Sequence, residues 1–290
     1  MLADDGGDRV ECRLRGRMRR DRQTADLAVI GDRVRFADLP DGTGIIESVE
    51  PRRSRFSRRQ PGPRGTWRED VIVANPDLVV AVFAYDRPPA NPRLIDRFLV
   101  IAEHNELAIA LVANKADLVT SPDVDPVFGP YERLGYPVLR TAARTGYGVD
   151  DLATRLANRL SVVVGPSGVG KSTLLNTIQP GLRLATGEVS ESLHKGRHTT
   201  TVAELHRLEF GGYVADTPGI REMGLWQIPP EDLAWSFIEF RPFLGKCAFN
   251  DCSHIHEPRC AVRAALEAGT ISEGRYDSYR RLLTGMSSID

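Results

Sequence analysis

Three changes of texture along the 290 residues predict a multidomain chain with a small N-terminal β-barrel, a central α/β domain and a C-terminal α-helical domain. Residues 10–16, 27–36 and 44–49 alternate apolar and polar side chains between Gly, Asp and Pro, the period of half-buried strands. From about Val71 apolar runs alternate with helical patterns, as in a mostly parallel sheet covered by helices. After Gly219 the pattern turns helical, and three cysteines and a histidine crowd into residues 247–260. The domains are expected at 1–68, 69–225 and 226–290.

Composition narrows the classes. With 41% apolar residues and a formal net charge of −1, each domain is able to bury a core. The longest apolar runs, 78–85 and 107–113, fall well short of the roughly 20 residues that a membrane-spanning helix needs. The start, Met1-Leu2-Ala3-Asp4-Asp5, is acidic where a signal peptide is basic and then apolar. A cytoplasmic protein with no membrane partner is expected, and a monomer. Four cysteines, three of them clustered and Cys12 alone, suit a metal site better than a disulfide framework.

The near-neutral total conceals a basic end. Residues 9–68 hold sixteen arginines, no lysine and eight carboxylates, so their balance is 16 − 8 = +8. Arginine surplus on short strands points to nucleic-acid phosphates, with Phe56 and Trp67 as rings that would stack on bases.

In the central domain 78–84 reads as a buried strand, 92–104 as a helix, and 107–113 as a strand that delivers Asn114-Lys115-Ala116-Asp117 at its carboxyl end. A third strand, 137–140, ends at Thr141-Ala142-Ala143; 149–160 reads as a helix, and 161–164 as a strand running into Gly165-Pro166-Ser167-Gly168-Val169-Gly170-Lys171-Ser172. Strand, glycine loop and helix in that succession form a phosphate cradle: the glycines let consecutive N–H groups face the phosphates, Lys171 adds a positive charge with a catalytic role, and Ser172 holds Mg²⁺. Guanine is preferred over adenine because the Asp117 carboxylate accepts from the N1–H and the exocyclic amine of guanine. Lys115 lies along the base plane, and Thr141, Ala142 and Ala143 meet the base from behind.

Asp216-Thr217-Pro218-Gly219 follows an apolar stretch and closes on the γ-phosphate, with Asp216 near Mg²⁺ and the Gly219 backbone on phosphate. Residues 188–201 end in Gly196-Arg197-His198-Thr199-Thr200-Thr201; Thr200 is favoured over its neighbours as a Mg²⁺ ligand. Base-reading motif, phosphate loop and Asp-x-x-Gly element thus occur in rotated order. The residue after Gly219, where many GTPases keep a water-orienting glutamine, is Ile220, which predicts slow intrinsic hydrolysis accelerated by a partner. His198 is the candidate to act on the water.

Helices are expected at 231–243, 261–268 and 276–286. Between the first two, Cys247, Cys252, His254 and Cys260 offer three thiolates and an imidazole, a set suited to closed, structural Zn²⁺; His256 ranks below them.

From about residue 9 onward the pattern resembles the RsgA (YjeQ) family of circularly permuted GTPases that act on the bacterial small ribosomal subunit. Gly31-Asp32-Arg33-Val34, the stretches 114–117, 165–173 including Thr173, 196–201 and 216–219, and the four metal candidates carry the resemblance. It implies an oligonucleotide-binding (OB-like) β-barrel, a permuted GTPase domain and a zinc-binding helical domain. It also implies rRNA and the small subunit as partners, subunit-stimulated hydrolysis of GTP to GDP in late maturation, and a hydrophobic residue in place of glutamine. Family members have a further strand ahead of the segment matching 10–16, where this sequence has a few polar residues, so a truncated barrel or a misplaced start is expected. A nucleotide-gated RNA-binding scaffold or signalling switch with incidental hydrolysis is the alternative reading. A P-loop ATPase or kinase is disfavoured by Asn114 and Asp117. Because the segment after Gly219 leads into the helical domain, loss of the γ-phosphate is expected to tilt that domain relative to the barrel.

Overall fold

The structure is a computed structural model that describes residues 2–5, 8–15, 28–61, 67–119, 125–184, 204–216 and 228–285. The N-terminal part is a mixed sheet. β1 (Leu2–Asp5) pairs antiparallel with β2 (Asp8–Leu14), β2 runs parallel to β4 (Gly44–Val49), and β4 pairs antiparallel with β3 (Val34–Asp38), giving the order β1-β2-β4-β3. A strand therefore does precede the segment starting at Val10. Alternation along β2 sends Val10, Cys12 and Leu14 into a small core with Ala28, Ile46 and Phe36, and leaves Arg9, Arg13 and Arg15 outside.

The strand expected at 27–36 begins only at Val34. Ahead of it the Asp32 carboxylate accepts from the Val29 N–H at 2.8 Å and from Arg52 through two bonds of 2.7 and 2.8 Å, which ties residues 29–32 into a turn instead of a ladder. Gly31 makes the turn's left-handed step (φ +85°), where a Cβ would lie 2.1 Å from the Ala74 carbonyl oxygen. β5 (Arg55–Pro61) and β6 (Trp67–Ala74) form an antiparallel hairpin that spans residues 68 and 69.

The central sheet has six strands in the order β11-β12-β10-β7-β8-β9. In chain order its elements are β7 (Leu78–Ala84), α1 (Pro92–His104), β8 (Ile109–Asn114), α2 (Gly129–Arg133), β9 (Val138–Arg140), α3 (Val149–Leu156), β10 (Leu160–Val164), α4 (Lys171–Ile178), β11 (Glu204–Arg207) and β12 (Tyr213–Asp216). All neighbours run parallel except β11, an antiparallel edge on β12. β7 is buried along its whole length: Val79, Ala81 and Phe83 enter one core, and Leu78, Val80, Val82 and Ala84 the other. α1 starts where the Asn91 side chain accepts from the Arg93 N–H and Pro92 presets the first turn. α3 ends at Leu156 rather than at 160, because left-handed Asn158 (φ +57°) turns the chain into β10.

The C-terminal part holds α5 (Pro230–Leu233), α6 (Ala261–Glu267) and α7 (Glu273–Leu283). The helix expected over 231–243 is instead α5, a run of turns, and a 3₁₀ turn at Arg241–Phe243. Pro242 has no N–H to donate, and Phe237 and Phe240, both fully buried and stacked at 5.1 Å, pack against Tyr279. Val100 of α1 belongs to the same core, so the helical domain docks on α1. Among the described residues no helix is long and apolar enough to cross a membrane.

Candidate functional site

The carboxyl ends of β8 and β10 point to one edge of the sheet, as the parallel order requires, and the two loops that leave them meet there. Asn114 is buried at the end of β8; its Nδ2 donates to the Val169 carbonyl at 2.8 Å, and its Oδ1 accepts from the Thr141 hydroxyl at 3.1 Å. Lys115 adopts a left-handed backbone (φ +58°) that sends its ammonium to the Gly168 carbonyl at 2.8 Å and to the Arg87 carbonyl. The groups proposed to read a base and the loop proposed to hold phosphates are therefore one constellation, stitched by hydrogen bonds between positions 114–115 and 168–169.

The glycines make this approach possible. Gly170 (φ +95°) sits so close to Asn114 that a Cβ would fall 2.6 Å from Nδ2, and a Cβ on Gly165 (φ +138°) would fall 2.1 Å from the Val82 carbonyl oxygen. Val169 is buried and pins the loop, while Ser167 and Gly168 are exposed and Pro166 is half-buried. Lys171 opens α4, and its ammonium donates to the Gly165 and Pro166 carbonyls at 2.7 and 2.6 Å. Ser172 is half-buried and Thr173 exposed on the same first turn.

Behind Asn114, the Ala116 N–H donates to the Thr141 carbonyl and the Thr141 N–H to the Ala113 carbonyl, each at 3.0 Å. Thr141 is fully buried, so its hydroxyl orients Asn114. Ala142 is buried as well, and the Ala143 carbonyl accepts from Thr177 of α4 at 3.2 Å. Asp117 lies exposed in the 3₁₀ turn Ala116–Leu118. Asp216 ends β12, whose parallel neighbour β10 feeds the glycine loop, and its backbone pairs with Glu204. His198, Thr200 and Gly219 lie outside the described residues, as does Ile220. Sequence reading missed Arg87, whose carbonyl shares the Lys115 ammonium with the glycine loop; no motif marks an acceptor supplied by backbone.

A second constellation lies in the helical domain. The donor atoms of Cys247, Cys252, His254 and Cys260 all fall within 4.8 Å of one another. Nδ1 of His254 stands 3.5 Å from the Cys247 sulfur and 3.4 Å from that of Cys260, and those two sulfurs are 3.9 Å apart. Tetrahedral Zn²⁺ with ordinary bond lengths separates its donors by about 3.5–3.8 Å, so three sulfurs and an imidazole fit such an ion. Burial pushes the Cys252 thiol up to about 12, so its thiolate needs a cation beside it at neutral pH. His256 is exposed and stands outside the set.

The basic N-terminal surface is only partly as expected. Phe56 is fully buried in the core of the central domain with Val73 and has no face for a base, because its strand alternation turns it inward. The Trp67 side chain lies outside the described residues. Arg52 is committed to Asp32; Arg9, Arg13 and Arg33 project outward from strands or their ends, as do Arg15 and Arg35, which also reach Glu47 and Glu50 at 3.5 Å each.

The description "RsgA GTPase" fits residues 49–226, more than half of the chain. The chain belongs to the RsgA GTPase family. A relative from Gemmatimonas aurantiaca named small ribosomal subunit biogenesis GTPase RsgA is 49% identical over 279 residues, which cover 95% of this chain and 90% of the relative. A relative of the same name from Thermotoga maritima is 40% identical, with 96% of this chain and 90% of the relative covered. Among solved structures, YjeQ from Thermotoga maritima superposes with a TM-score of 0.78 at 37% identity, covering 98% of this chain and 92% of that one. YloQ, described as a circularly permuted GTPase, gives 0.73 at 29% identity over 98% and 88% of the two chains. The RsgA-family fold and the rotated motif order thus agree.

Proposed function

We propose that this RsgA-family chain binds GTP between residues 114–117 and 165–173 and hydrolyses it to GDP and phosphate on the small ribosomal subunit, as a step in that subunit's biogenesis. The observation that carries the proposal is the 2.8 Å bond from Asn114 to the Val169 carbonyl, which holds the base-reading residues against the phosphate loop. Guanine is selected by Asp117, whose carboxylate accepts from the N1–H and amine of the base, while Lys115 lies along the ring and Thr141 keeps Asn114 oriented. Loop N–H groups between Gly165 and Gly170, the amino end of α4 and the Lys171 ammonium would take the phosphates in place of the carbonyls that Lys171 now contacts. Mg²⁺, when bound, offsets the charge that develops on the phosphate oxygens; Ser172 and Thr200 would hold it, with Asp216 beside it and the Gly219 backbone on the γ-phosphate. His198 would orient or deprotonate the attacking water, because Ile220 has no group to do so.

The four ligands in the helical domain would hold one structural Zn²⁺, and the outward arginines of an OB-like N-terminal domain would meet rRNA phosphates. The chain is proposed to work in the cytoplasm as a monomer, with domains near 1–68, 69–225 and 226–290. GTP turnover measured in buffer, with free rRNA and with purified small subunits tests the reading. A low basal rate and strong stimulation by subunits alone are expected. Equal rates in all three would overturn it in favour of a nucleotide-gated scaffold with incidental hydrolysis.

A further inference from the structure

Helix α7 addresses two different bodies with adjacent pairs of side chains. Arg275 and Ser278 reach Asp96 on α1: Nη1 of Arg275 donates to Oδ1 at 2.7 Å, and the Ser278 hydroxyl donates to Oδ2. Tyr131 of α2 donates to the same Oδ1 at 2.8 Å. The remaining Arg275 donors engage Glu239 at 2.6 and 3.1 Å, and its guanidinium lies 4.6 Å over the Phe237 ring. Asp96 and Arg275 are 2% and 5% exposed, so this network is buried.

Tyr276 and Tyr279 turn the other way. Their hydroxyls donate to the backbone carbonyls of His254 at 2.6 Å and Ser253 at 2.8 Å, in the loop that carries the metal-ligand candidates. That loop is wound around the Glu257 carboxylate, which accepts from the Ser253 N–H at 2.8 Å, the Ser253 hydroxyl at 2.6 Å, and the N–H groups of Ile255 and His256 at 3.2 Å each. His254 itself is left-handed, with φ +62°. Each of the two α7 pairs is spaced i, i+3, and they are offset by one residue, about 100° around the helix axis. A rigid helix that turns or slides against the loop therefore also turns or slides against α1. Breaking the Asp96 contact strands a buried charge, so docking favours two discrete states over a gradual slide.

We propose that metal occupancy of the Cys247, Cys252, His254 and Cys260 cluster and docking of the helical domain on α1 are thermodynamically linked through α7. Ligation fixes the carbonyls that hold Tyr276 and Tyr279, and the helix so placed presents Arg275 and Ser278 to Asp96. The inference rests on the metal site proposed above. Linkage is reciprocal, so loosening the Asp96 contact weakens metal binding by the same factor that metal strengthens docking.

Competition of the full chain with a chromophoric chelator for Zn²⁺ tests this on the wild type, on Asp96→Asn and Ser278→Ala, and on Arg280→Ala, an exposed position of α7 whose guanidinium bonds Asp277 rather than Asp96 or the metal loop. Asp96→Asn is expected to weaken Zn²⁺ binding roughly 5- to 150-fold, the usual range of coupling between sites, Ser278→Ala less, and Arg280→Ala not at all. If Asp96→Asn fails to fold, Ser278→Ala decides alone, since it removes a single hydroxyl. Zn²⁺ affinities of folded Asp96→Asn and Ser278→Ala equal to the wild type overturn the linkage while leaving the metal site intact. Wild-type chain that binds no Zn²⁺ overturns both. As an independent readout, stripping Zn²⁺ from the wild type is expected to accelerate amide hydrogen exchange in α1 around Asp96; unchanged exchange there also overturns the linkage.

Discussion

Asn114 and Asp117 stand three residues apart in one motif, yet their environments assign them different work. Asn114 is buried and bonded to Val169 and Thr141, so Asn114→Ala leaves the Val169 carbonyl without its donor. A destabilisation of about 1–3 kcal/mol is expected, read as a lowered denaturation midpoint of the ligand-free chain. Asp117 is exposed, so Asp117→Ala should leave that midpoint within about 0.5 kcal/mol. Its effect should fall on guanine: loss of charged hydrogen bonds of about 1.5–3 kcal/mol corresponds to roughly 10- to 150-fold weaker GDP in a fluorescent-nucleotide titration. Equal midpoints, or GDP affinity untouched by Asp117→Ala, would contradict this division. The identities of both residues were legible because a motif fixes side-chain chemistry at short spacing. Thr141 was legible as a member of the site, but its bond to Asn114 was not, nor was the Arg87 carbonyl: they are 27 and 28 residues away from the groups they hold, and only the sheet brings them near. Phe56 failed for a related reason, since an arginine-rich run says nothing about which alternate residue faces inward.

At the scale of elements, β7 and α1 coincide with their sequence readings because local and tertiary signals agree: seven apolar residues in a row for one, and Asn91-Pro92 with an apolar stripe for the other. The 231–243 segment departed because its aromatics serve the packing around α7 rather than a helix face. Phe240 shows the weight of that packing, being fully buried between Phe237, Tyr276 and Tyr279. Phe240→Ala is expected to cost about 3–5 kcal/mol, whereas Trp235→Ala, at a residue 59% exposed, should cost far less. Chemical denaturation followed by the far-ultraviolet signal of the two variants makes the comparison, and similar losses would refute the role given to Phe240.

For the whole molecule, the charge asymmetry read from composition survives as outward arginines on β2 and β3, although Arg52 is withdrawn to a structural pair and Arg35 reaches Glu50. Binding to small subunits should accordingly weaken steeply with salt, by about a thousandfold or more between 50 and 200 mM if six or more phosphates are met; a flat response would remove the electrostatic footing of that surface. The tilt of the helical domain expected from sequence acquires a constraint: with Arg275 and Ser278 on Asp96, any such displacement either carries α1 along or breaks that buried contact. The strand order has one more consequence. Read across the central sheet, β11, β12 and β10 all come from the later stretch of the chain and β7, β8 and β9 from the earlier, so the sheet is two three-stranded leaves joined along a single β10–β7 seam. A ligand lodged between the loops of β8 and β10 would straddle that seam like a rivet, and the cohesion of the two leaves would then rise and fall with the cell's supply of guanine nucleotide.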